Sequence, residues 1–344
     1  MQYRNKCNYI SIAKAIGIIL MVMGHSGCPK ILNSFLYMFH MPLFFICSGY
    51  FFKEITYKTA LITFFNKKIR GLYIPYLRWS ILFMLLHNML RYLHLTESAI
   101  YQTQDYIRQL IKIVTMTDYE LLIRPFWFIK ELLLASVIIA SFSMIRNNYF
   151  PKVKTIALLT ISISVAIVLK YMPLVPLIGD CSLLFLCISY LYSGMLIQEY
   201  KNSIPFTTSV LVISFLIVLI GSIMFIGTID MRFTTVKNIV PYYLLSFSGV
   251  LMVFCLSKKL ENSSINTIFF YIGNHTMPIL ALNLLALKIG NLIKIWIYSL
   301  PMNNLSSYTV IYEYNSYFWV LYTMIGITIP LLVHSLFSKF VSLK

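Results

Sequence analysis

Charge is what this sequence has least of: only 11% of its 344 residues are Asp, Glu, Lys or Arg, against about 25% in an ordinary soluble domain. So little charge cannot cover a water-facing surface, which excludes a soluble globular protein. Carboxylates are scarcer still, 11 against 28 Lys and Arg, and the formal net charge is +17. That excess does not indicate a nucleic-acid partner, because the basic residues sit mainly in short connections between apolar runs. Cysteine is also sparse. Cys7, Cys28, Cys47, Cys181, Cys187 and Cys255 show no CxxC or metal-like spacing, so they read as small apolar residues and no metal site is expected. No repeat, low-complexity tract or separate soluble domain is present.

What is abundant is apolar sequence, 59% of the chain, arranged in runs of about 20 residues, the length that crosses a bilayer core of about 30 Å. Arg4 and Lys6 ahead of the apolar stretch Tyr9 to Gly24 imitate a signal peptide. Lys14 inside the stretch, the lack of a small-residue cleavage site and the runs that follow argue that it is retained. Ten candidate helices result, at 9–28, 33–52, 72–94, 126–145, 155–171, 181–198, 207–228, 239–257, 267–290 and 317–338. The expected fold is an all-α polytopic membrane protein of about ten transmembrane helices, one domain over residues 1–344, with the lipid bilayer as its surroundings. With the N-terminus in the cytoplasm both termini lie inside. Inside loops then carry fifteen cations against three acids, and outside loops ten against seven, counting Lys288 and Lys294 as outside. This follows the positive-inside rule. The one long connection, residues 95–124, falls on the extracytoplasmic side, and a loop of that length usually has a role or a short helix of its own.

Ionisable groups inside spans are costly and mark functional candidates. Lys14 and His25 are eleven residues apart, three helical turns plus about 20°, so both project from one face about 16 Å apart along the axis. Lysine there can also snorkel to the interface, and a histidine can cap the helix end. His25, however, sits in Gly24-His25-Ser26-Gly27, where small neighbours leave the ring accessible. A neutral imidazole is the natural base for activating a hydroxyl.

The second run carries Phe39-His40-Met41-Pro42-Leu43-Phe44-Phe45 and Ser48-Gly49-Tyr50. Its proline is expected to bend or break the helix and free carbonyls, so His40 either faces a cavity or bonds such a carbonyl. Asn66-Lys67-Lys68-Ile69-Arg70 leads into Pro75-Tyr76. This basic cluster reads as a topology signal and anionic-lipid contact, or equally as a grip on the phosphates of a cytosolic donor such as coenzyme A. Arg78 extends it toward the core. The fourth run opens Pro125-Phe126-Trp127-Phe128-Ile129-Lys130-Glu131. Glu131 is expected at the depth of His25, either orienting the imidazole or compensating Lys130.

Together these segments resemble the acyltransferase family 3 membrane proteins, which include bacterial O-antigen and capsule O-acetyltransferases and fucose 4-O-acetylase-like proteins. The resemblance rests on Lys14 with His25, Gly24–Gly27, Phe39–Phe45 with Ser48–Tyr50, Lys67-Lys68-Ile69-Arg70 before Pro75-Tyr76, Trp127-Phe128, and the late stretch Tyr271–Ile279. It is sharpest over residues 9–80. Lysine stands at 14 where the family motif has arginine, keeping the charge without the bidentate fork. Asn283 stands where relatives often carry histidine.

The resemblance implies a ten-helix bundle in the bacterial cytoplasmic membrane that moves an acetyl or similar group from acyl-CoA, acetyl-CoA above all, to a hydroxyl of a glycan acceptor. His25 is then catalytic, assisted by Lys14 and Glu131. Lys67, Lys68, Arg70 and Arg78 bind the donor, and His40, Ser48 and Trp127 line the substrate pocket. No nucleophile signature at serine or cysteine calls for an acyl-enzyme, so direct transfer is expected. A transporter or flippase of a lipid-linked sugar is the alternative. It requires paired inverted repeats with matching broken helices, which the sequence does not show.

Overall fold

The computed structural model describes residues 8–171, 181–225, 230–232, 238–313 and 317–342, and the only regular structure among these is helical. In chain order the helices are α1 (Asn8–His25), α2 (Lys30–Tyr37), α3 (His40–Tyr50), α4 (Lys58–Lys68), α5 (Ile74–Tyr92), α6 (Thr103–Val114), α7 (Trp127–Tyr149), α8 (Thr155–Tyr171), α9 (Cys181–Glu199), α10 (Thr208–Met224), α11 (Ile239–Leu260), α12 (Asn266–Asn274), α13 (Thr276–Tyr298), α14 (Asn304–Ser307) and α15 (Trp319–Ser342). Among the described residues seven helical stretches are long and apolar enough to cross a membrane: Lys30–Tyr50, Lys58–Tyr92, Leu121–Tyr149, Cys181–Glu199, Ile239–Leu260, Thr276–Tyr298 and Trp319–Ser338. Tyr9–His25, Thr155–Lys170 and Thr208–Met224 are shorter apolar helices. Each of the ten apolar runs overlaps helix among the described residues, and residues 226–228 of the seventh lie outside them.

Prolines set two helix starts. Pro42 is the third residue of α3 and Pro278 the third of α13. In a first turn the missing N–H removes no intrahelical bond. The helix does break near Pro42, as the sequence predicts, but ahead of the proline, which lies in the first turn of α3. The interruption lies ahead of it at Met38–Phe39, and His40 Nδ1 bonds the carbonyl of Leu36 at 2.8 Å. At the junction of α4 and α5 the chain does not break: Ile69–Tyr73 forms a wide π-type turn, giving a continuous 35-residue helix. It is about 52 Å long, more than the hydrocarbon core, so part of it stands in the interface or in water. The 95–124 connection contains α6 and a 3₁₀ turn at Leu121–Phe126. The ninth run also differs from its expected limits. It breaks at His275 and continues to Tyr298 rather than ending at 290.

The chain forms two compact units. The first comprises Met1–Gly17, Lys30–Gly71 and Phe128–Asn274; the second comprises Ile18–Pro29, Leu72–Trp127 and His275–Lys344. In the first, α3 and α9 approach closely: a Cβ built at Gly49 would fall 2.0 Å from the Leu191 carbonyl oxygen, and one at Gly194 2.1 Å from that of Ile46. Only glycine permits backbones so near, the usual small-residue seam of membrane helices. Buried hydroxyls cross-link the same unit, with Tyr190 Oη and Ser246 Oγ at 2.6 Å and Tyr9 Oη donating to Tyr50 Oη at 2.8 Å.

In the second unit α13 packs on α15 and on the 3₁₀ turn. α6 is tied to α5 and the turn before it: Tyr73 Oη donates to Val114 O at 2.8 Å and Tyr76 Oη to Ile113 O at 2.9 Å.

Candidate functional site

The first unit assembles the basic cluster. Lys67 and Arg70 are exposed, while Lys68 is half-buried at the end of α4. Lys68 Nζ donates to Ser48 Oγ at 3.1 Å and lies 5.4 Å from the centroid of the Phe64 ring. Two residues chosen from the sequence for different roles, donor binding and pocket lining, are therefore in contact. Among the described residues no carboxylate lies within ion-pair distance of Lys67, Lys68 or Arg70. Gly71, inside the π-type turn, has open space where a Cβ would be. Three uncompensated cations beside open space suit an anion, and π-type turns recur at functional sites. Behind the cluster, Arg146 pairs with Glu54, and Ile55 N donates to Ser143 Oγ at 3.0 Å, pinning the α3–α4 connection to α7.

Lys14 is half-buried on α1 beside Gly17, where an added Cβ would fall 2.9 Å from Leu43 Cδ2 of α3. His40 is buried, with 3% exposure, and is held by the Leu36 carbonyl. Glu131 is half-buried on α7.

His25, Arg78 and Trp127 belong to the second unit. His25 is the last residue of α1, half-buried, and its ring has no hydrogen-bond partner among the described residues. The helix ends there because Ser26 Oγ turns back onto Val22 O at 2.7 Å and Gly27 takes φ +75°, a left-handed conformation that glycine adopts without strain. An imidazole left unbonded at a helix end next to a fixed turn is available to a ligand. Arg78 is exposed on α5 and Trp127 is half-buried at the start of α7. Asn283 of α13 is fully buried. Its Nδ2 donates to Ile279 O and Leu280 O at 3.1 and 2.6 Å, and its Oδ1 has no partner among the described residues.

Two polar networks of this unit escaped sequence reasoning. In one, His87 of α5 bonds Glu120 Oε2 through Nδ1 at 2.8 Å and Ala99 O through Nε2 at 2.9 Å. The Tyr101 ring stacks on His87 at 3.4 Å between centroids, and its hydroxyl donates to Glu120 Oε1 at 3.1 Å. Asn88 closes the 95–102 segment through two bonds to the Tyr101 backbone. Burial, and next the Glu120 carboxylate, raise the Tyr101 phenol above its ordinary pKa. A small cavity opens here, lined by Phe83, His87, Thr96, Ser98 and Glu120 among others. The second network involves Lys288, Asn291 and Lys294, spaced by three on α13 and buried. Polar residues at that period on an apolar helix were the available signal. Lys288 and Lys294 count as outside cations when the helix is taken to end near them, at residue 290.

The family model described as Acyltransferase domain (Acyl_transf_3) matches residues 8–335. No curated protein and no solved structure matches the chain.

Proposed function

The chain belongs to the Acyl_transf_3 family of acyltransferase domains, and from that premise we propose that it moves an acetyl group, or a similar acyl group, from acyl-CoA to a hydroxyl of a cell-surface glycan or its lipid-linked precursor. It is a membrane acyltransferase, since the match runs through a chain of multiple apolar helices. Membership selects acyl transfer over transport of a lipid-linked sugar. The observation that carries the finer reading is His25, a half-buried imidazole with no partner among the described residues, held at the end of α1 by the Ser26–Gly27 turn.

In the proposed reaction His25 takes the proton of the acceptor hydroxyl as that oxygen attacks the thioester carbonyl. The new C–O bond forms, the tetrahedral intermediate collapses, the C–S bond breaks, and the imidazolium returns the proton to the departing thiolate of coenzyme A. Lys67, Lys68 and Arg70, without nearby carboxylates, bind the donor's phosphates, with Arg78 extending the basic surface. Lys14, on the same helix as His25, helps to hold the donor. The enzyme sits in the bacterial cytoplasmic membrane with ten spans and both termini in the cytoplasm, which the excess of basic residues in the assigned inside loops supports.

The test is the acyl content of cell-surface glycans in a strain lacking the gene, complemented with wild type or His25→Ala at equal membrane levels. Restoration by wild type alone is expected. Full restoration by His25→Ala would remove the catalytic assignment, and glycan export that changes without acylation would favour transport.

A further inference from the structure

Between α13 and α15 the chain forms a strap, residues 305–312, that begins in α14 and is held onto α13 by side chains. Lys288 Nζ donates to the carbonyls of Leu305 at 2.6 Å and Tyr308 at 2.7 Å. Asn291 Nδ2 donates to Tyr308 O at 3.1 Å, and Lys294 Nζ to Ile311 O at 2.8 Å. Asn291 Oδ1 accepts from Ile311 N at 3.2 Å and from Tyr322 Oη of α15 at 2.6 Å. The three α13 residues are 4%, 0% and 1% exposed. Among the described residues neither ammonium has a carboxylate within ion-pair distance. Keeping two ammonium groups from water without such a partner is costly, and what the arrangement secures is one backbone conformation for the strap.

That conformation seats the strap on the turn after His25. A Cβ built at Gly27 would fall 3.1 Å from Val310 Cγ2 and 3.1 Å from Tyr312 Cε1. Val310 is buried at 2%, but Tyr312 is 70% exposed. Part of the Tyr312 ring therefore rests on the glycine two residues beyond His25 while most of it stays bare. A free aromatic side chain in a loop loses conformational freedom on binding; one carried on a locked strap loses less.

We propose that Tyr312, presented by the Lys288–Asn291–Lys294 clamp, is the platform on which the sugar ring of the acceptor stacks beside His25. The C–H face of a pyranose is apolar and its rim is hydroxylated, and a tyrosine offers the matching pair, an apolar ring face and a polar tip. Stacking there brings a ring hydroxyl toward the imidazole. The inference rests on the proposed reading of His25 as base and of a glycan as acceptor. The competing role for a bare tyrosine in a membrane protein is anchoring at the lipid interface, which predicts an effect on stability and none on acceptor affinity.

The test uses purified full-length protein in lipid nanodiscs, with oligosaccharides released from the surface glycan of a strain lacking the gene as the probe. Tyr312→Ala is expected to raise the acceptor KM about five- to tenfold, the worth of one aromatic contact, while the acetyl-CoA KM does not move and Tyr312→Trp restores the value. An unchanged acceptor KM in Tyr312→Ala overturns the proposal, and a lowered melting temperature with unchanged KM assigns the ring to the lipid interface. Should wild type transfer nothing to the glycan, the functional reading fails separately. Direct binding then still decides the platform: oligosaccharide bound by His25→Ala but not by His25→Ala/Tyr312→Ala upholds it, and binding equal in both proteins or absent from both overturns it.

Discussion

Replacing Gly49 with alanine probes the α3–α9 seam where its tolerance is smallest. The added Cβ would sit 2.0 Å from the Leu191 carbonyl oxygen, whereas carbon and oxygen approach to about 3.3 Å. The helices must therefore part by about 1.3 Å. A gap of about 1 Å forfeits up to half of the dispersion energy of each contact across the seam, and overpacking of this kind costs about 1–3 kcal/mol. The expected fall in melting temperature is about 3–10 °C in nanodiscs. Because Ser48 precedes Gly49 and accepts from Lys68, the same displacement loosens that bond and raises the acetyl-CoA KM. Gly71→Ala is the control: nothing lies within 4 Å of its would-be Cβ, and alanine in a helix is favoured over glycine by about 0.5–1 kcal/mol. Equal destabilisation by the two substitutions, or a Gly49→Ala protein as stable as wild type, would refute the packing argument.

Lys68→Ala is expected to raise the acetyl-CoA KM about tenfold, the scale of one charged hydrogen bond; an unchanged KM in steady-state kinetics would remove the cluster from donor binding. Glu120→Ala leaves His87 Nδ1 and the Tyr101 hydroxyl without their hydrogen-bond partner and is expected to cost about 1–3 kcal/mol, read as a lower melting temperature, with wild-type stability as the contrary result. Tyr101→Phe tests pH dependence. A phenol whose folded pKa is raised contributes stability that is complete below its unfolded value of about 10. That contribution is lost as pH rises toward the folded value. The stability difference between wild type and Tyr101→Phe should therefore stay flat through neutral pH and shrink only above about pH 10; a change near pH 7 would contradict the assigned cause.

The apolar runs were legible because a span needs about 20 residues with little charge, and that constraint is written along the chain. The Lys67–Arg70 cluster was legible for the same reason, as charge interrupting apolar sequence. Its contact with Ser48 was not, since residues twenty apart carry no mark of their pairing. The Gly49–Gly194 seam is likewise invisible until two backbones meet. Lys288 and Lys294 misled because a lysine near a helix end ordinarily turns to water; here their partners are the backbone carbonyls of Leu305, Tyr308 and Ile311, which no side-chain pattern announces. Pro42 was visible as a breaker, but only the structure shows the helix restarting at His40 so that the proline lies in a first turn.

The most direct test of the central claim is single-turnover acyl transfer by purified protein in nanodiscs, from radiolabelled acetyl-CoA to glycan oligosaccharides, with wild type and His25→Ala matched for melting temperature. Label on the glycan is expected with wild type, and a loss of at least about a hundredfold with His25→Ala, the contribution of a positioned general base. Transfer by His25→Ala at the wild-type rate would contradict it.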